Sequence, residues 1–166
     1  MTHHPDRFLR TRREFLVTLA AGVAGAGFAA VAGAQPRATV DPTKAITVYK
    51  DPNCGCCTEW VKHLQQAGFQ PTVRDMTDMA TVKRSFGVPV ALESCHTARI
   101  GRYTIEGHVP ADLIARLVKE QSPTARGLAV PGMPVGSPGM EMGSQKDRYD
   151  VILFDAAGKT RVYASR

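Results

Sequence analysis

Residues 46–69 read ITVYKDPNCGCCTEWVKHLQQAGF. The first five are β-branched or aromatic around one lysine, and Asp51-Pro52 ends them, which predicts a short strand. From Thr58 onward, Trp60, Val61, Leu64 and Ala67 recur at helical spacing, and Gly68 stops the run. Between strand and helix stand Cys54, Cys56 and Cys57. A helix start presents unpaired N–H groups and partial positive charge. Both favour thiolate over thiol, so cysteines placed there become reactive or metal-binding.

Working outward, QPTVRDM (70–76) predicts a second strand. DMATVKRSFG (78–87) predicts a short helix with Asp78 as N-cap and Gly87 as stop. HTARI (96–100) and YTIEG (103–107) predict a hairpin around Gly101-Arg102. PADLIARLVKE (110–120) predicts an amphipathic helix with Leu113, Ile114, Leu117 and Val118 on one face. The order β-α-β-α-β-β-α is that of a thioredoxin-like α/β fold. Residues 127–150, GLAVPGMPVGSPGMEMGSQKDRYD, carry neither period and predict a long Gly/Pro/Met-rich loop, a length that usually signals function or disorder. VILFD (151–155) and TRVYA (160–164) predict a closing C-terminal β-hairpin.

The N-terminus reads as an address. Arg12 and Arg13 precede an apolar, small-residue run from Val17 to Ala32, and Ala32 and Ala34 suit an A-x-A cleavage site. The paired arginines specify twin-arginine export, which carries folded proteins. A spanning helix needs about 20 strongly apolar residues, so residues 1–34 predict a cleaved signal and no membrane span afterwards. Residues 35–44 predict a linker, and 45–166 the thioredoxin-like domain. The whole chain has 166 residues and a net charge of +6. Removing the four arginines and two acids of 1–34 leaves +4 on scattered sites, which gives nucleic-acid binding no support. The predicted compartment is the oxidising periplasm.

All four cysteines lie beyond the signal, Cys95 far from the other three. Cys54 and Cys57 have C-x-x-C spacing, which admits a thiol–disulfide oxidoreductase. Cys56 argues against it, because a third thiol beside the pair invites exchange. A metal explains the crowding better, since a cation neutralises clustered thiolates, and soft sulfur selects Cu(I), Zn(II) or iron–sulfur clusters. Zinc sites usually space cysteines in two C-x₂₋₄-C pairs; three close cysteines and one distant one suit sulfurs bridging several Cu(I) ions. A structural zinc site in an interaction module is the third reading.

Three stretches in order, DPNCGCCTEWVKHLQQAGF (51–69), SCHTARIGRYTIEGHVPADLIARLV (94–118) and GLAVPGMPVGSPGMEMG (127–143), resemble the CopG family of bacterial copper-resistance proteins, also described as a C-x-C-C domain of unknown function. The resemblance runs from about residue 44 to the end. It implies a thioredoxin-like fold and a copper cluster bridged by Cys54, Cys56, Cys57 and Cys95. It also implies a periplasmic role in copper handling, with copper ions and other periplasmic copper-handling proteins as partners. Metal binding comes first; cycling between Cu(I) and Cu(II) is the enzymatic extension.

Other residues divide between site and scaffold. His96 reads either as a copper ligand or as a strand-start histidine bonded to backbone. His108 reads either as a metal-binding residue or, the favoured reading, as turn support, and His63 as a solvated helix residue. Met133, Met140 and Met142 offer soft thioethers on a flexible strip that reads as a lid, with packing favoured over ligation. Met140 and Met142 stay as candidate ligands. Met76, Met79 and Trp60 read as core, with Trp60 also able to wall the site from water; Glu59 and Lys62 read as a solvated face.

Overall fold

The structure is a computed structural model that describes residues 41–166. The expected signal peptide (1–34) and most of the expected linker (35–44) lie outside the described residues. Strand β1 (Ala45–Lys50) leads into helix α1 (Gly55–Gln66), then β2 (Gln70–Asp75) and α2 (Met79–Ser85). A 3₁₀ turn at Val90–Leu92 precedes the hairpin β3 (His96–Ile100) and β4 (Tyr103–Glu106), and α3 (Ala111–Glu120) follows. The β-α-β-α-β-β-α order is the expected one. Three further strands, β5 (Ala125–Ala129), β6 (Asp150–Asp155) and β7 (Thr160–Ser165), complete a sheet ordered β2-β1-β3-β4-β5-β6-β7. Strand β1 runs parallel to β2 and antiparallel to β3.

Alternation along the strands gives each sheet face its own partners. Ile46, Val48, Ala98, Ile100, Tyr103 and Ile105 pack with Trp60, Val61 and Leu64 of α1 and Leu113, Ile114 and Leu117 of α3. These buried apolar side chains carry most of the fold's stability, at about 1.5–3 kcal/mol each. The intervening residues Thr97 and Glu106 turn to the opposite face, where they bond Lys83 of α2 or each other. Leu92, Ala129 and Phe154 form a smaller apolar cluster.

Strand β5 corrects the expectation of loop from Gly127 onward. It pairs parallel with β4 and antiparallel with β6, so Gly127, Leu128 and Ala129 are all buried and show no alternation. Gly127 is required by packing: a Cβ there would stand 1.9 Å from the Thr104 carbonyl oxygen and 2.7 Å from the Phe154 ring. Met76 and Met79 are half-buried and stand outside the core: Met76 follows directly on the exposed edge strand β2, and Met79 opens the seven-residue α2. Trp60 is fully buried, and Glu59 and Lys62 form an exposed ion pair, both as expected. No described helix is long and apolar enough to cross a membrane.

His63 departs from its expected solvated role. Its Nε2 accepts a hydrogen bond from Ala111 N at 3.1 Å, serving a helix start whose N-cap, Pro110, offers no side-chain bond. Burial holds the imidazole below its ordinary range, while Glu141 and Asp112 pull the other way. A histidine so shifted binds protons more readily unfolded. Its contribution is therefore complete above about pH 6.5 and is lost as pH falls from there through the folded value. His63→Ala is expected to cost about 0.5–2 kcal/mol at pH 8, as for a lost helix cap, and to flatten the stability slope on acidification. Urea midpoints of both proteins at pH 8 and 5.5 check this; parallel slopes would refute it.

Candidate metal centre

Local chemistry fixes the three clustered cysteines. After β1, Asn53 N donates to Asp51 Oδ1 at 2.8 Å and Cys54 N to Asp51 O at 3.1 Å, a turn of the type aspartate favours. Cys54 thereby becomes the N-cap of α1, and its Sγ accepts from Cys57 N at 3.3 Å. Cys54 and Cys57 stand on neighbouring positions of one turn, with Cα atoms 5.3 Å apart, and are joined as a disulfide. Cys56 stands beside this disulfide without entering it. The turn brings positions 54 and 57 within disulfide range, and Cys56 remains a free thiol with its Sγ 3.5 Å from Cys54 Sγ.

Register brings in Cys95. Lys50 of β1 pairs with His96 of β3, so the residue before His96 lies beside the turn after Lys50, next to the start of α1. The Sγ atoms of Cys54, Cys56, Cys57 and Cys95 all fall within 4.8 Å of one another. The Cys95 thiol is pushed up to about 12, by burial first and then by Cys56. It is therefore a neutral thiol at ordinary pH, and a metal taking its sulfur displaces a proton.

Two histidines complete the surroundings. His108, read from the sequence as turn support, is fully buried with Nε2 3.0 Å from Cys95 Sγ. Its Nδ1 stands 2.7 Å from Pro138 O; a carbonyl only accepts, so Nδ1 carries the proton and Nε2 presents a lone pair. His96 has Nδ1 3.3 Å from Cys95 Sγ and a buried Nε2 without a partner. Its ring lies against Trp60, centroids 4.3 Å apart, and edge-on to His108 at 4.9 Å. Burial holds both imidazoles below their ordinary range, so both are neutral and able to give a lone pair. Cys95, His96 and His108 form a second group with ligand atoms within 4.8 Å.

The long loop reaches the site through its backbone. Besides the Pro138 carbonyl on His108, Gly139 (φ +85°) lies against the first turn of α1. A Cβ there would stand 2.6 Å from Trp60 N and 2.8 Å from Cys56 O. The loop thus meets the surroundings of the site at residues 138–139 through backbone atoms. Met133 and Met142 are 54% and 61% exposed, against the expectation that they pack beneath the loop; Met140 is half-buried.

The donor set fits a soft metal ion: four sulfurs from two stretches of chain, two neutral imidazole nitrogens beside one of the sulfurs, and no carboxylate in either group. A family model described as a protein of unknown function, DUF411, matches residues 92–140, which hold Cys95, both histidines and the loop residues 138–139. A solved structure described as copper resistance protein CopG, form 2, is 47% identical; the match covers 74% of this chain and 97% of that one, with a TM-score of 0.70. Form 1 of the same description is 48% identical, covering 74% and 96%, also with a TM-score of 0.70. No curated protein matches the chain.

Proposed function

Because the chain belongs to the CopG copper-resistance family, we propose that it binds copper as Cu(I) on the thiolates of Cys54, Cys56, Cys57 and Cys95, in a periplasmic role in copper homeostasis. The observation that carries this reading is the convergence of four sulfurs from two distant stretches within 4.8 Å. Thiolates repel one another, and several Cu(I) ions sharing bridging sulfurs both neutralise and satisfy them. His108 Nε2 and His96 supply neutral nitrogen donors beside Cys95. The Trp60 ring packs on His96, and residues 138–139 hold His108 and rest on the first turn of α1.

Loading begins with chemistry at the disulfide. An external dithiol reduces the Cys54–Cys57 bond to two thiols by exchange and is itself left as a disulfide. Each thiol that then takes copper releases its proton. A site so built can hold copper, hand it on, or change its valence between Cu(I) and Cu(II), which is the redox role we assign as the extension of binding. Export by the twin-arginine signal of residues 1–34 suits a protein that takes up its metal before leaving the cytoplasm.

The test is metal content. The reduced protein, purified anaerobically from copper-supplemented cells, is expected to carry two or more coppers per chain and no zinc by elemental analysis. Fewer than two tightly held coppers, or one zinc required for folding, would overturn the reading.

A second reading, a thiol–disulfide oxidoreductase, rests on one specific observation: the Cys54–Cys57 pair caps a helix that follows directly on a strand. It requires insulin-reducing activity that survives Cys56→Ala. On the copper reading that activity is weak, because Cys56 stands 3.5 Å from the pair and diverts it.

A further inference from the structure

On the sheet face turned toward α2, a buried ion pair brackets Cys95, and the copper chemistry does not use it. Glu106 is 0% exposed and Lys83 5%. One carboxylate oxygen of Glu106 accepts from Lys83 Nζ and, at 2.6 Å, from Ser94 N. The other accepts from Thr97 Oγ1 at 2.6 Å. The carboxylate thus grips the chain at positions 94 and 97, on either side of Cys95 and His96. Gly107 tightens the grip. Its N donates to His96 O at 2.9 Å, and it has no room for a Cβ, which would stand 2.6 Å from Ser94 Oγ and from Val130 O.

A fully buried ion pair is weak support for stability, because desolvation offsets most of its Coulomb attraction. Its placement has a better explanation. Cys95 is the one thiol supplied from outside α1, and it follows a 3₁₀ turn with no helix or strand of its own to hold it. Ser94 N, Thr97 Oγ1 and Lys83 Nζ all point hydrogens at one group, and only a carboxylate offers two oxygens that both accept. We propose that Glu106, held in place by Lys83, is a positioning residue that fixes Cys95 Sγ against the α1 thiols and so sets copper affinity without touching the metal. This rests on the copper reading above.

The experiment is a double-mutant cycle on the reduced full chain. Cu(I) affinity is measured by competition with the chromogenic chelator bathocuproine disulfonate for wild type, Glu106→Gln, Cys95→Ser and the double variant. Glutamine keeps the shape but turns an N–H₂ toward a donor. Glu106→Gln is expected to weaken Cu(I) binding about 10- to 100-fold, the range for partners that orient a ligand, and to add no further loss in the Cys95→Ser background. Equal losses in both backgrounds, or none, would overturn the proposal.

A second readout is independent of copper. In a chain with Cys54, Cys56 and Cys57 replaced by serine, the metal-free rate of iodoacetamide labelling at Cys95 is expected to rise several-fold with Glu106→Gln, and an unchanged rate counts against positioning. If wild type proves to bind no copper, the copper reading falls while labelling still decides the positioning role. Should Glu106→Gln fail to fold, Thr97→Val removes one of the two grips and leaves the ion pair. It is expected to move labelling in the same direction, and an unmoved rate overturns the proposal.

Discussion

Cys95→Ser is expected to weaken Cu(I) binding by more than about a hundredfold, since even partners that merely orient a ligand cost 10- to 100-fold. The metal-free fold should change by about 1 kcal/mol or less. The substitution is nearly isosteric, and a serine hydroxyl can still donate to His108 Nε2, as the neutral thiol does across 3.0 Å. What it removes is softness: a hydroxyl oxygen is a poor ligand for Cu(I), and the remaining sulfurs all come from one helical turn. Two of those, Cys54 and Cys57, are within bonding reach of each other and compete with the metal by closing their disulfide.

The same variant separates the two readings of the site. Exchange chemistry through Cys54 and Cys57 has no use for Cys95, so a thiol–disulfide enzyme keeps its insulin-reducing activity in Cys95→Ser. A copper protein loses its affinity. Chelator competition and insulin turbidity, run on one preparation, therefore give opposite patterns. Unchanged copper affinity would remove Cys95 from the site.

Much of this was legible in the sequence because it depends on local pattern. The strand–cysteine–helix entry, Asp78 as N-cap (its Oδ1 accepts from Thr81 N at 3.0 Å) and the hairpin around Gly101-Arg102 each follow from a few adjacent residues. Strand β5 was hidden because burial on both faces erases alternation, leaving a glycine and four unremarkable neighbours. His108 was read first as turn support and only second as metal-binding, although a stronger signal for it existed. The hairpin pairs Ile100 with Tyr103 and Thr97 with Glu106. Continuing that register past the ends of both strands sets position 108 opposite position 95, so the hairpin turn alone places a histidine beside the distant cysteine. Lys83 and Glu106 had no such signal. Their pairing crosses from α2 to β4, and nothing in a short helix on a polar-looking segment marks one lysine for burial. The methionines misled because composition suggests a soft, packed lid, whereas the contacts that reach the site run through the backbone of residues 138–139.

Trp60→Ala is expected to give the largest loss of stability, about 3–5 kcal/mol, in the range for deleting a buried aromatic side chain. Net stabilities are only about 5–15 kcal/mol, so the variant would be barely folded at 37 °C. Three contacts fail together. The ring leaves a cavity among α1, α3 and the sheet. The Val109 carbonyl loses its bond from Trp60 Nε1, 2.9 Å long, just before α3 begins. His96 loses the ring stacked 4.3 Å away, beside a cysteine of the site. Trp60→Phe separates these effects, because it keeps most of the ring and drops the donor. It is expected to cost less than alanine, with about 1–3 kcal/mol from the unpaired carbonyl. Guanidinium unfolding of the metal-free, reduced proteins measures both. If alanine cost under about 1 kcal/mol, Trp60 would not be the joint between core and site. If phenylalanine matched wild type in stability, the Val109 bond would carry no weight, and Trp60 would serve the site through packing on His96 alone.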